Sequence, residues 1–293
     1  MLLRYFRKID AYSGLRLFAL VLVCGIGVVV TSGDSRRDHV FFLFIFFFTG
    51  LLCWMFFKDR WTFKGSQFRF LVAVLFVILW SSEFVSHTFL VAALVLESNW
   101  QFTENFRRRR NPVWIFHSAM LSALTLIFFS HDAWFIGVAS FVALLIVGKP
   151  QLANLLQWIF GFGLVIILPL LLSQNFFPDF QYRTPEIQEV PVEWWVVPAL
   201  VLLITLNQFT IFYRKADNLN KSRSLLALTW TLLGVLFASL IGGEGGFVLV
   251  LLGLSYQASY AMYYFKRKGW IEIGFLLLMI YSVAYSFNYI EFL

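Results

Sequence analysis

Glu83 and His87 are the two side chains of this sequence with the clearest capacity for proton chemistry. They lie four residues apart in a mostly apolar stretch, so they share one face if the chain is helical there. A carboxylate and an imidazole at bilayer depth are costly and usually face a cavity, a partner or an ion path. One interpretation is therefore a proton-coupling or headgroup-binding pair. The other is a helix cap, with Ser81 or Ser82 at the N-cap and Glu83 in the first turn.

A run of four arginines after Glu104 is the second candidate. Beside a membrane, such a block can bind anionic lipid headgroups, phosphate-bearing lipid carriers or a partner subunit, at about 1 kcal/mol per base. The same block can also simply fix orientation, because Lys and Arg accumulate in cytoplasmic loops. Both interpretations are open for the four residues, which are Arg107, Arg108, Arg109 and Arg110.

Candidates on the opposite membrane face are Glu244, Arg183 and Asp132. Glu244 lies at the centre of the Gly242–Gly246 run, where glycines would let the backbone approach a ligand closely. The same composition is typical of a tight turn between two helices. An enzyme for phosphate-bearing substrates would need several arginines on this face, and the sequence offers few.

The histidines do not form a metal site. His117 and His131 flank one predicted span, and fourteen residues at about 1.5 Å each separate them by about 21 Å. No zinc-binding spacing, phosphate-binding loop or nucleophile motif is present in the sequence. We therefore expect no metal and no cofactor, and we name no catalytic residue.

The elements that position these residues are predicted to be membrane-spanning helices. Of 293 residues, 60% are hydrophobic and only 13% are charged, whereas a soluble domain carries about 25% charged residues. That shortage of polar surface excludes a water-soluble globule. The same composition excludes a disordered chain, a collagen-like fibre and a disulfide scaffold. We expect an integral membrane protein.

Nine apolar segments are long enough to cross a bilayer, since about 20 residues cover roughly 30 Å of hydrocarbon. They are residues 14–31, 40–57, 113–130, 133–148, 155–173, 194–213, 224–241, 246–265 and 270–289. The expected fold class is all-α, a polytopic transmembrane helix bundle that forms a single membrane domain over residues 1–293. A further apolar region, 70–96, is predicted to be a re-entrant hairpin with half-helices at 70–80 and 84–96. One tilted span is the alternative.

The distribution of charge predicts the topology. Basic clusters alternate with acidic loops, and the positive-inside rule places the basic clusters in the cytoplasm. These clusters lie near the N-terminus and at residues 58–69, 99–112, 149, 214–223 and 266–268. The outer loop 174–193 has four acids and one base. The N-terminus is thus expected to be cytoplasmic and the C-terminus periplasmic.

The basic net charge of +7 is explained by this topology, so we expect no nucleic-acid partner. The expected partners are membrane lipids and other inner-membrane subunits.

A pattern of short motifs runs through residues 113–169 and continues to Trp230. The run Val113–Ala119 is followed by a second span, then by Lys149–Leu152 and by Trp158–Gly161. In these loose hydropathy patterns the chain resembles an uncharacterised family of inner-membrane proteins of about this length from Bacteroidota. The resemblance implies a bacterial inner-membrane location and no particular activity.

These observations favour a non-enzymatic inner-membrane protein of envelope biogenesis. It would handle a lipid-linked or hydrophobic intermediate, or act as the membrane subunit of a larger complex. One alternative is a membrane-embedded transferase or polymerase for lipid-linked glycans, which the scarcity of outer arginines disfavours. A second is a secondary transporter, which the lack of an internal repeat disfavours.

Overall fold

The computed structural model describes residues 87–128, 134–176, 195–215, 217–240 and 244–264, with a few positions between 15 and 26 and between 273 and 284. Its helices are α1 His87–Arg109, α2 Val113–Phe128, α3 Trp134–Ala143, α4 Leu152–Phe176, α5 Val196–Lys215, α6 Asn218–Leu240 and α7 Glu244–Tyr264. A π-helical turn, Leu144–Gly148, continues α3. The predicted all-α class is confirmed for the described residues, which contain no strand.

Helices α2 to α7 lie where six of the nine spans were predicted. Within the described residues, one helical stretch, Asn220–Ser239 in α6, is long and apolar enough to cross a membrane by length and composition. Shorter apolar stretches are Val113–Ile127, Trp134–Gly148, Leu152–Ile167 and Gly246–Ala258. The nine spans are therefore not confirmed. The first two predicted spans and the last lie wholly or mostly outside the described residues.

Helix α1 is longer than the sequence predicts. The second half-helix of the 70–96 hairpin was expected to end at residue 96, whereas α1 continues to Arg109. The polar side chains that follow residue 96 remain helical because several of them find partners on other helices. Within the predicted basic segment 99–112, the chain is mostly buried as far as Phe106, and the exposed part begins at Arg108.

A short capped turn joins α1 to α2. Arg110 has a φ of 53°, and its N–H donates to the Phe106 carbonyl at 2.7 Å, which is the left-handed C-cap motif. Asn111 then accepts a bond from the Val113 N–H at 3.0 Å as the N-cap of α2. Pro112 takes the first position of the helix, where a missing N–H costs nothing. The tight link makes α1 and α2 antiparallel neighbours.

The chain divides into two compact units. We call residues 88–190 and 217–253 the core unit, and residues 1–87, 191–216 and 254–293 the second unit. In the described part of the second unit, the Thr205 hydroxyl of α5 lies 3.4 Å from Gln257 Oε1 of α7. Gln257 thus contacts a neighbouring helix, as expected for polar groups in a helical bundle. The single membrane domain stays a prediction.

In the core unit, α2 packs against α4, and α3 with its π-helical turn packs against α2 and α6. One buried apolar cluster joins α1, α2, the π-helical turn and α4. Its members are Phe106, Ile115, Ala119, Leu144 and Trp158.

Helices α6 and α7 approach until their backbones touch. A Cβ on Gly234 would lie 2.5 Å from the Gly246 carbonyl oxygen, and a Cβ on Gly246 would lie 2.5 Å from the Ala238 nitrogen. Only glycine allows this spacing, because real Cβ atoms do not come so close to backbone atoms. Gly246, the last residue of the predicted glycine turn, is therefore a packing residue inside α7.

Candidate functional site

A buried ion pair joins α1 to α6. Arg223 donates from Nε to Glu104 Oε1 at 2.6 Å and from Nη2 to Oε2 at 2.5 Å. Only 8% of the Glu104 surface and 4% of the Arg223 surface is exposed. This two-bond geometry is the strongest arrangement available to a guanidinium and a carboxylate. Burial of the two charges is tolerated because each has the other as its partner.

Two tryptophans hold the carboxylate in position. Trp100 lies one helical turn before Glu104 on α1, and its Nε1 donates to Glu104 Oε1 at 2.8 Å. The Trp100 ring packs edge-on against Trp230, with ring centroids 5.1 Å apart. Trp230 is completely buried and donates from Nε1 to the Ala139 carbonyl at 3.0 Å. The ion pair is thereby tied to α1, α3 and α6 at once.

The N-terminus of α6 brings Arg223 to this place. Asp217 caps the helix by accepting from the Asn220 N–H at 2.7 Å. Asn220 Oδ1 accepts in turn from Arg223 Nη1 at 3.3 Å. Arg108 also lies beside the pair, with its Nη2 3.9 Å from Glu104 Oε2.

Two of the four consecutive arginines contact backbone. Arg107 Nη1 lies 3.4 Å from the Val147 carbonyl, and Arg110 Nη1 lies 3.3 Å from the Lys149 carbonyl. Carbonyls at the end of a helical segment lack partners along the chain, and cations are favoured there. The Arg110 guanidinium also lies 5.7 Å from the centre of the Phe106 ring. These two arginines therefore join α1 to the end of the π-helical turn.

The ends of α1, the π-helical turn and α6 thus meet, and we call this region the basic end. Its members are Arg107, Arg108, Arg109, Arg110, Lys149, Lys221 and Arg223, with Glu104 and Asp217. Seven cations against two carboxylates give it a net charge of +5. Burial lowers the pKa of Arg107, and the neighbouring Arg223 and Arg110 lower it further, whereas Glu104 and Asp217 raise it. Several charged groups therefore lie within electrostatic range of one guanidinium.

A buried polar layer lies one to two turns earlier on α1. Asn99 Nδ2 donates to Ser122 Oγ at 2.9 Å and to Ser140 Oγ at 2.6 Å. Ser122 donates its own proton to the Ser118 carbonyl, so its oxygen must accept from the Asn99 amide. Trp158 Nε1 approaches Ser118 Oγ at 3.4 Å. These bonds connect α1, α2, α3 and α4, and they explain why the polar stretch of α1 stays buried and helical.

The structure describes few of the other predicted site residues. Glu83, Asp132 and Arg183 lie outside the described residues, as does the first half of the 70–96 hairpin, so the hairpin stays a prediction. His87 is the first residue of α1, and its side chain lies outside the described part. Glu244 is the first residue of α7. Helix α6 begins at the basic end and α7 follows its far end, so Glu244 lies at the opposite end of the core unit.

His117 has aromatic neighbours. Its ring centroid lies 5.8 Å from that of Phe102 and 5.8 Å from that of Trp114. Over the residues that the structure describes, no three His, Cys, Asp or Glu side chains lie close enough to hold a metal ion.

Sequence reasoning missed the pairing of Glu104 with Arg223. The two residues are 119 positions apart. Glu104 was named only as the residue that precedes the arginine run, and Arg223 only as part of the basic cluster 214–223. One signal was available, because opposite charges beside apolar helices tend to be paired when buried. Spacing along the chain does not identify the partner.

We expect the four arginines to divide into two classes when each is replaced by Lys. Arg107→Lys with Arg110→Lys should destabilise the protein by about 1–2 kcal/mol, because a point charge does not reproduce the guanidinium contacts to carbonyls. The matched control, Arg108→Lys with Arg109→Lys, should cost less than about 0.5 kcal/mol, since both side chains are exposed and a lysine at position 108 keeps a positive charge beside Glu104. Melting temperatures in detergent measure the difference. Equal effects of the two double variants would contradict this division.

Comparison of the chain with known protein families, with curated proteins and with solved structures gave no match. The likeness to the Bacteroidota family therefore stays a prediction.

Proposed function

We propose that this chain is an integral protein of the bacterial inner membrane that acts in envelope biogenesis by handling an anionic, lipid-linked intermediate. The observation that carries the proposal is the combination, in one unit, of an exposed apolar helix face and a basic end. The nine spans, the cytoplasmic N-terminus and the periplasmic C-terminus are parts of the same proposal. The proposal rests on the apolar composition of the chain, on the exposed apolar faces of its helices and on the positive charge of the basic end.

The apolar face is clearest on α4. Leu152 and Phe160 are 72% and 71% exposed, and the other large apolar side chains that the structure describes as exposed on this helix lie on the same stripe. They are Leu156, Ile159, Leu164 and Ile167, with the spacing of a single helical face. The opposite face buries Trp158 and Gly161 in the core unit. In water, so large an apolar patch is rare on a monomer, whereas hydrocarbon chains are its natural surroundings.

Helix α6 repeats the pattern. Its exposed positions include Leu225, Leu232 and Leu236, while Leu226 and Trp230 are completely buried. A helix that is apolar on both its buried and its exposed face is typical of a membrane span. This supports a lipid-facing position for the helix that meets the length criterion.

The basic end lies at the termini of these helices, where a span would meet the headgroup region. Cations at that depth attract anionic lipids and phosphate-bearing carriers. The positive-inside rule assigns this end to the cytoplasm. Handling of a lipid-linked intermediate is preferred to a purely scaffolding role because the charge is concentrated where phosphate groups of lipids lie.

Site-directed labelling tests the topology. Asn111 is exposed between α1 and α2, so Asn111→Cys, in a chain with Cys24 and Cys53 replaced by Ser, is expected to react with an impermeant maleimide only in inside-out vesicles. Thr184→Cys in the outer loop is the matched control and should react only in intact spheroplasts. Labelling of Asn111→Cys from outside would overturn the orientation. Release of the protein from membranes by alkaline carbonate would overturn membrane integration.

Lipid analysis tests the function. The protein, extracted with its surrounding lipids in polymer discs, is expected to be enriched in phosphate-bearing lipid-linked intermediates relative to the bulk membrane. A lipid composition equal to that of the bulk membrane would contradict the proposed handling role.

A further inference from the structure

Two residues of the basic end have a backbone conformation that residues other than glycine rarely adopt. Arg110 has a φ of 53° and Lys149 a φ of 47°, and within the described residues these are the non-glycine positions with positive φ. Glycine or asparagine is the usual choice at such a helix end, and strain of this kind costs about 1 kcal/mol or more per residue. Both strained positions carry a cation, and the Arg110 side chain reaches the Lys149 carbonyl.

This contact fixes two neighbouring turns against each other. The last turn of α1 presents Arg108 and Arg109, and the turn after the π-helical segment presents Lys149. All three residues are exposed. Arg107 and Arg110 approach carbonyls, Arg223 binds Glu104, and Arg108 lies 3.9 Å from the same carboxylate. The exposed cations are therefore held on a rigid support.

The carboxylates of the basic end are already engaged. Glu104 accepts from Arg223 and Trp100, and Asp217 accepts from the first turn of α6. The remaining excess of positive charge favours an anion with several negative oxygens. A phosphate group fits best, because guanidiniums match its geometry with paired hydrogen bonds.

We propose that Arg108, Arg109 and Lys149 form a binding site for a phosphate group, carried either by a lipid headgroup or by a soluble phosphate compound. This inference rests on the proposed function, for which it names the recognised group and the residues that recognise it. Arg107 and Arg223 support the site from within the core unit, and Arg110 links its two turns through the Lys149 carbonyl. Glu104 limits the site by attracting Arg108 in the absence of ligand.

The test uses the full-length protein purified in detergent. Short-chain phosphatidylglycerol and inorganic pyrophosphate are the two probes, and binding is followed by thermophoresis. Arg108→Gln with Arg109→Gln should weaken phosphatidylglycerol binding roughly 30-fold, the effect of two surface charges. The matched control, Arg36→Gln with Arg37→Gln, removes the same charge from the loop between the first two predicted spans, which the charge pattern assigns to the opposite membrane face, and should change binding less than about twofold. Melting temperatures verify that both variants fold.

Each outcome bears on the proposal. If pyrophosphate displaces phosphatidylglycerol, the site takes soluble phosphate compounds as well as lipid headgroups. If it does not, the site is specific for lipid headgroups. Both results support the proposal. The proposal is overturned if neither probe binds. It is also overturned if the control variant weakens phosphatidylglycerol binding as much as the Arg108 and Arg109 variant does. Enrichment of lipid-linked intermediates with no binding at Arg108 and Arg109 would overturn the site and leave the proposed function intact. Phosphate binding without such enrichment would support the site and contradict the proposed function.

Discussion

Replacement of Glu104 by Gln is expected to destabilise the protein by about 3–5 kcal/mol, because it leaves the Arg223 guanidinium buried without a countercharge. Arg223→Met should have a similar cost, since it leaves the buried Glu104 carboxylate with the Trp100 bond and only a more distant cation, Arg108. Both losses should be visible in the intrinsic fluorescence of the protein heated in detergent. A lowering of the melting temperature by roughly 10 °C corresponds to this range.

The double variant separates a structural role from a functional one. Replacement of both partners by Met removes both charges, and buried pairs replaced by apolar residues often lose little stability. We expect the double variant to recover most of what either single variant loses. If phosphate binding at the basic end persists in it, the pair acts only through structure. Additive losses in the double variant would contradict coupling between Glu104 and Arg223.

Gly234→Ala should destabilise the protein by about 3 kcal/mol, because the new methyl group meets backbone and the two helices must separate. The added Cβ would lie 2.5 Å from the Gly246 carbonyl oxygen and 2.6 Å from the Val250 nitrogen. Neither atom can move without shifting its helix. The same melting experiment measures the loss.

Gly163→Ala on α4 is the matched control for this substitution. A Cβ there meets nothing within 4 Å, so the change should leave stability unaltered or raise it by up to about 1 kcal/mol through helix propensity. A Gly234→Ala variant as stable as Gly163→Ala would show that α6 and α7 do not pack at the distance described.

The four consecutive arginines have different surroundings in the structure. Sequence treated Arg107–Arg110 as one block, either binding or orienting. The structure shows Arg107 and Arg110 against backbone carbonyls, whereas Arg108 lies beside Glu104 and Arg109 is exposed. The reason is the 3.6-residue helical period together with the left-handed turn at Arg110, which direct neighbouring side chains to different surroundings.

The sequence by itself determined the helices and several of their ends. Long apolar segments with few charges can form only helices in a bilayer, and this predicted α2 to α7 within a few residues. The turn at Asn111 and Pro112 is local chemistry, because the side chain and the ring that begin α2 act within two residues. The alternation of basic and acidic loops is likewise a property of the chain alone.

Only the tertiary structure decided which polar groups are paired. Glu104 and Arg223 are 119 residues apart, and Asn99 and Ser140 are 41 apart, so no spacing rule connects them. Hydropathy could not help, because both the buried and the exposed face of a helix such as α4 are apolar. Which face is buried, and therefore which polar residue finds a partner, depends on the neighbour that each helix acquires in the folded bundle.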